Sequence, residues 1–399
     1  MPHDFDTVLD RSGTNSLKWD NTSPGIPQVV PLWVADMDFP VAPPIAKALS
    51  ERVAHPVFGY TNLPAAYFAA VQAWHAGRYQ RSISESEWLL APSVLQAMST
   101  AMRLFTAPGD VVLNLPPVYY PFFKMVALNG RVGLEVPLAH EGLRWGFDFA
   151  GLEGALAQAA KDSKPVKALL LSNPHNPTGR AWTRSELERL ATLATRYDFF
   201  ILSDEIHADL VAPGQPQVSV ADLPELAGRS LVFAGPNKTF SLAGLPLSHV
   251  IARDPALRSR MKRAFETDFF EQPNVLSLTA ALAAYQEAGP WLDELKTVIQ
   301  NNFRLLQEFL ATWNLKAVPL EATYLAWVDF SPVIAALGFG DDRDLAKFLE
   351  DTGRVKLSAG SIFGTGGSHH LRFNLATPTT ILGEGLRRLD AALRAQQGS

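Results

Sequence analysis

Apolar residues recur at helical spacing from Pro43 to Ala107, and beyond that stretch short apolar runs alternate with further helical segments. Within the first stretch Ser93 follows Ala91-Pro92 directly and opens an apolar-periodic segment that ends near Phe105, which predicts a capped helix start. Strands are expected at Val111 to Leu115 and Arg131 to Val136, with a helix between them over Tyr119 to Leu128 closed by Asn129-Gly130. Val166 to Leu171 is an apolar run followed by the turn-rich Ser172 to Arg180, then a helix whose Thr183 and Glu186 fit a capping box. Phe199 to Leu202, Leu231 to Ala234 and His249 to Ala252 repeat the short apolar style. Such spacing predicts an α/β fold, a mostly parallel sheet covered on both faces by helices.

A long helix from Pro290 to Trp313 leads to short strands at Leu325 to Phe330, Val355 to Ser358 and Leu371 to Leu375, with helices at Asp344 to Asp351 and Thr380 to Ala395. These elements predict a smaller α+β domain over 289–399, beside a large domain over 43–288. Residues 1–42, rich in Pro, Asn, Asp and Trp without clear periodicity, read as an extended arm packing with the small domain. No fixed-period repeat interrupts the chain, and the only biased segment is a short polar tail after Ala395.

The 399 residues are 47% hydrophobic, enough for a full core, and 35 Lys and Arg against 40 Asp and Glu form no dense basic run, so nucleic acid is not an expected partner. Without a cysteine there is no disulfide framework, thiolate metal site or cysteine nucleophile. No apolar run reaches the ~18 residues of a membrane span, and the start lacks signal-peptide character, so a cytoplasmic location is expected.

Chemistry concentrates after three predicted strands, in Asn173 to Gly179, Ser203 to His207 and Gly235 to Thr239. Each group would reach the same sheet edge, where active sites of such sheets lie. Ser93-Val94-Leu95 would bring backbone N–H groups and a helix dipole suited to a phosphate, although Ser93 also reads simply as an N-cap. Asp204-Glu205 read in isolation as a helix first-turn pair, Asn176 as a turn residue and Arg372 as a surface ion-pair partner. A zinc site from Asp204, His207 and Asp209 is a poor reading, because ligands so closely spaced along a strand split between its faces.

The order and spacing of the three groups resemble the fold-type-I pyridoxal 5′-phosphate (PLP) enzymes of the aspartate aminotransferase superfamily. Trp33 to Phe39, Phe58 to Thr61, Pro117 to Phe122, Asn173 to Arg180, Ser203 to Leu210 and Lys238-Thr239-Phe240 with Ala243-Gly244-Leu245 are similar to the MalY/PatB/cystalysin group of carbon-sulfur lyases. That resemblance implies PLP in Schiff-base linkage to Lys238, whose freed amine then acts as the base at Cα. It places Asp204 on the pyridine nitrogen, Asn176 on the cofactor O3′, Tyr119 against the ring, and Arg372 on the substrate α-carboxylate with a backbone contact from Ala35. It leaves His207 open between a contact near O3′ and a packed histidine, because many relatives carry a tyrosine there. Tyr120 is a candidate for assisting proton transfer. Ser93, Val94, Leu95 and Asn237 are candidates for the phosphate, joined by Tyr60 from the neighbouring subunit of a homodimer. Asn237 and Pro246 depart from the pattern, since relatives usually place Ser or Thr before the lysine and often an Arg eight residues beyond.

Cα deprotonation opens several reactions. The resemblance implies β-elimination from a cysteine S-conjugate of the cystathionine type, with release of a thiol, pyruvate and ammonia. The runner-up is a PLP-dependent aminotransferase of a small or aromatic amino acid. A third reading, a PLP-binding regulatory protein without turnover, sits poorly with Lys238, Asp204, Asn176 and Arg372 being present together.

Overall fold

The computed structural model describes residues 3–20, 28–270 and 272–398; the parts of the arm expectation that fall on 1–2 and 21–27 lie outside them. A seven-stranded sheet runs in the order Trp88–Ala91, Ser248–Ile251, Ser230–Ala234, Phe200–Asp204, Val166–Ser172, Val111–Asn114, Val132–Glu135. Only Ser248–Ile251 runs against the others. The central strands are largely apolar because both faces are covered: Leu169 and Leu171 enter one core, while Ala168 and Leu170 enter the other. Helices Val94–Phe105 and Pro255–Thr267 pack on the second face, and Ala65–Tyr79, Arg184–Tyr197 and Val275–Glu287 contribute to the first.

Trp88–Ala91 corrects the reading of Pro43 to Ala107 as helical throughout. This edge strand is four residues long and pairs only with Ser248–Ile251, too brief a run to separate from helical spacing. The helix expected from Tyr119 begins at Pro121, where a proline suits the first turn. The strand expected over Phe199 to Leu202 and ending at Ser203-Asp204 spans Phe200–Asp204, and the last helix runs on to Gln397 through the expected tail. Thr183 and Glu186 form the expected capping box: the Thr183 N–H donates to Glu186 Oε2 at 2.8 Å and the Glu186 N–H to Thr183 Oγ1 at 3.3 Å.

A second sheet orders Leu325–Asp329, His370–Asn374 and Ser358–Ala359, all antiparallel, with Arg372 on the central strand opposite Trp327 and Ser358. Val30–Pro31 pairs in parallel with Val355–Lys356. Inside the long helix Gly289–Thr312, Asn302 donates to Leu375 O at 2.9 Å and Thr377 O at 2.8 Å, which fixes the exit of the Arg372 strand. The glycines of 364–367 turn the chain before that strand: Gly364 and Gly366 lie at φ 91° and 84°, and a Cβ on Gly367 would meet Gly360 O at 2.1 Å.

Arg180 ties the helix Arg184–Tyr197 to the segment that leads into Leu325–Asp329. Its buried guanidinium pairs with Glu186 at 2.9 Å and Glu321 at 2.8 Å and donates to Trp145 O at 2.5 Å. Arg180→Met would strand two partly buried carboxylates, and a loss of about 3 kcal/mol is expected. The urea unfolding midpoint of the purified variant checks it, an unchanged midpoint counting against the tie.

Candidate functional site

A cavity of about 260 Å³ opens where the parallel strands end. Its walls hold Ala35, Ser93, Val94, Leu95, Tyr119, Tyr120, Asn176, Asp204, His207, Asn237, Lys238 and Arg372, twelve of the thirteen residues expected from the sequence. Their convergence follows from strand order. Asp204 is the last residue of its strand, Lys238 follows Ser230–Ala234 by one turn, and Asn176 follows Val166–Ser172. Tyr60 is the exception, 99% exposed and outside the cavity of its own chain.

Lys238 Nζ donates to Ala35 O at 2.5 Å and has no carboxylate within ion-pair reach among the described residues. Burial pushes its ammonium below the usual range; Arg372 adds to that, while Asp36 and Asp204 oppose it. The loop on either side is tethered. Asn237 Nδ2 donates to Leu242 O and Leu245 O, both at 2.8 Å, and Thr239 Oγ1 donates to Asp209 Oδ2 at 2.8 Å. Asp209 is held in turn by Trp74 Nε1 at 2.8 Å and by the Tyr79 hydroxyl. Both amide hydrogens of Asn237 are therefore engaged within its loop, so the donor expected there for a phosphate is turned away from it.

Asp204 is buried, and burial raises its carboxyl to about 7; the Ile206 N–H, donating to Oδ1 at 3.1 Å, and the Lys238 charge oppose the rise, and Glu205 adds to it. Glu205 next door is satisfied by Ser203, Ser219 and the Val220 N–H, a structural role. His207 lies edge-on to Tyr324 with ring centroids 5.8 Å apart, and its Nδ1 has no partner. Burial, reinforced by Lys238 and Arg372, lowers it to about 3, so the ring is neutral at pH 7.

Arg372 is 3% exposed and forms no salt bridge among the described residues. Nη1 donates to Asn176 Oδ1 at 2.8 Å, Nη2 to Trp33 O at 2.8 Å, the guanidinium lies 4.7 Å over the Phe363 ring, and Nε has no partner. Desolvation lowers its pKa to about 10. A buried cation without a counter-ion is an anion site by its own chemistry. Because Arg372 can only donate, the Asn176 oxygen must face it and the Asn176 NH₂ must face elsewhere.

Ser93 caps Val94–Phe105 by accepting from the Gln96 N–H at 3.3 Å, which leaves the first-turn amides at the cavity. Tyr119 is partly buried, its hydroxyl raised to about 12 by burial, and Tyr120 packs edge-on to Phe363 at 5.9 Å.

The family model for aminotransferases of class I and II matches residues 27–389. The chain belongs to the class I and II aminotransferase family. Cystathionine beta-lyase PatB of Bacillus subtilis (strain 168) is 38% identical over 98% of this chain and 99% of its own length. Protein MalY of Escherichia coli (strain K12) is 32% identical over 98% of this chain and 99% of its own. Among solved structures, cystalysin from Treponema denticola, which contains a pyridoxal 5′-phosphate cofactor, is similar with a TM-score of 0.92 at 34% identity, covering 99% of this chain and 100% of that one.

Val34, Ser172, Ile206 and Ala243 also line this aminotransferase-family cavity. They are small or apolar residues whose type by itself carries no chemical signal, although Val34, Ile206 and Ala243 fall within the segments similar to the lyase group. Tyr324 was equally silent in sequence, yet its hydroxyl donates to Ala35 O at 3.2 Å.

The raised Asp204 carboxyl has a pH signature in cofactor-stripped protein. The fold favours its protonated form, so stability is fully present below about 4 and is lost as pH rises through about 7. Asp204→Asn removes that loss. The stripped variant is expected to match wild type near pH 3.5 and to exceed it clearly at pH 8. Thermal melts at both pH values check the crossing, and parallel curves would refute it.

Proposed function

We infer that this chain is a PLP-dependent β-lyase of cysteine S-conjugates, and the observation that carries the reading is one cavity lined by Lys238, Asp204 and an unpaired, buried Arg372. The residues present fit the cofactor. Asp204 accepts only one backbone N–H, His207 Nδ1 and Arg372 Nε lack partners, the Asn176 NH₂ is turned from Arg372, and a helix N-terminus opens at Ser93. Asp204 would hold the ring nitrogen, Asn176 the ring hydroxyl, Tyr119 the ring face, and the amides after Ser93 the phosphate. When bound, PLP supplies an aldehyde that links to an amine and a ring that takes up an electron pair from Cα.

Arg372 binds the substrate α-carboxylate through charge-assisted hydrogen bonds and so orients the Cα–H bond. The Lys238 amine, kept partly neutral by burial, removes the Cα proton. Asp204 stays anionic once it faces a protonated ring nitrogen, because that opposite charge outweighs the burial that raises it in the chain alone. The Cβ–S bond then breaks, the thiolate leaves with its electron pair and takes a proton, and with one water the amino acid becomes pyruvate and ammonium. Relatives named as cystathionine beta-lyases support elimination over amino-group transfer.

Val53, Val57, Phe58, Tyr60 and Leu63 leave large apolar side chains exposed along one short stretch. That stretch is the contact with a second copy, in a cytoplasmic homodimer where Tyr60 reaches the partner's phosphate. No helix among the described residues is long and apolar enough to cross a membrane.

Pyruvate release from L-cystathionine without any added 2-oxo acid tests the reaction. Steady release is expected, and turnover only after a 2-oxo acid is supplied would make the enzyme an aminotransferase. Lys238→Ala is expected to lose nearly all turnover together with the visible absorbance of the lysine-linked cofactor. Tyr60→Phe is expected to weaken PLP retention several-fold with the dimer intact, read by absorbance titration and size-exclusion chromatography.

A further inference from the structure

Residues 33–38 run between the two charged groups of the site, and their carbonyls are shared out. Trp33 O accepts from Arg372 Nη2 at 2.8 Å and from Ser358 Oγ at 3.0 Å. Ala35 O accepts from Lys238 Nζ at 2.5 Å and from the Tyr324 hydroxyl at 3.2 Å. The neighbouring groups are held from outside the cavity. Asn374 Nδ2 donates to Val34 O and Asp36 O, each at 2.7 Å, and Lys18 Nζ also donates to Asp36 O at 2.9 Å.

The rest of the grip comes from the arm. Arg11 donates to Met37 O at 2.8 Å and pairs with Asp36 at 2.6 Å and Asp38 at 2.9 Å. Lys18, 0% exposed, pairs with Asp38 at 2.5 Å, and Trp19 Nε1 donates to the other Asp38 oxygen at 2.8 Å. Burying cations to hold a loop is energetically costly, and apolar packing would stabilise a contact of that size as well. Directional donors add what packing does not, a fixed position for each carbonyl. Neither Arg11 nor Lys18 lines the cavity.

We propose that Arg11 and Lys18 are positioning residues: by clamping Asp36 to Asp38 they fix the Trp33 carbonyl, which aims Arg372 at the substrate carboxylate. This rests on the assignment of Arg372 to the α-carboxylate made above. Loosening the clamp releases the Trp33 carbonyl, so the carboxylate is held less well in ground and transition states alike. The signature is a raised KM with kcat nearly kept, which a purely structural role would not produce.

The test uses holoenzyme of wild type, Arg11→Met and Arg11→Lys. It measures kcat and KM for pyruvate release from a cysteine S-conjugate, the Kd of glycine by the change in cofactor absorbance, and the melting temperature. Arg11→Met is expected to raise KM and the glycine Kd in parallel by about tenfold with kcat within about threefold, and Arg11→Lys to recover most of the loss because it keeps the charge. Wild-type KM and glycine Kd in Arg11→Met, whatever its melting temperature, would overturn the proposal, as would a lysine variant no better than the methionine one. Should Arg11→Met not fold, Trp19→Phe removes a single donor to Asp38 and is expected to show a smaller parallel rise, its absence overturning the proposal. If wild type releases no pyruvate, the lyase reading fails by itself, and glycine binding still decides the role of the arm.

Discussion

A guanidinium taken out of water without a counter-ion governs this structure. Arg372 is neutralised by no carboxylate among the described residues, so its burial is tolerated through neutral acceptors, chiefly Trp33 O and Asn176 Oδ1, and the face of Phe363. Each acceptor comes from a different part of the chain: the N-terminal segment, the turn after Val166–Ser172, and the loop before the Arg372 strand itself. Assembling them requires both sheets to be in place. The fold therefore builds the anion site, and the anion site in turn restricts how the sheets meet.

The opposite wall follows the same logic with the signs reversed. Asp204, buried at a strand end, is raised to about 7 and is ready for a cationic partner, while Lys238 is lowered and rests on a carbonyl in place of a carboxylate. An ion pair between them would satisfy both groups and leave neither free for chemistry. Holding Lys238 on Ala35 O keeps its lone pair within easy reach, because a hydrogen bond to a neutral carbonyl is given up far more readily than a buried salt bridge.

The lysine loop shows how one side chain shapes its surroundings. Asn237 carries two amide hydrogens, and the structure uses both to close 242–245 onto the lysine loop. Together with Thr239 on Asp209 this makes the lysine a rigid anchor.

Local pattern was enough for the parallel sheet, since Ala168 to Leu171 and Leu231 to Ala234 are apolar at every position and only a strand buried on both faces tolerates that. It was enough for the Thr183 to Glu186 box as well, because a cap is made of residues three apart. The chemistry-bearing residues after the strands were legible for a related reason: parallel strands deliver whatever follows them to one edge. Tertiary structure alone decided the strand Trp88–Ala91, whose partner lies some 160 positions away in sequence. It alone turned Asn237 inward, left Arg372 unpaired, and brought Arg11 and Lys18 beneath Asp36 and Asp38. Polar side chains in an arm without periodicity carry no record of their acceptors, because a hydrogen bond depends on where two groups meet in space and not on their spacing along the chain.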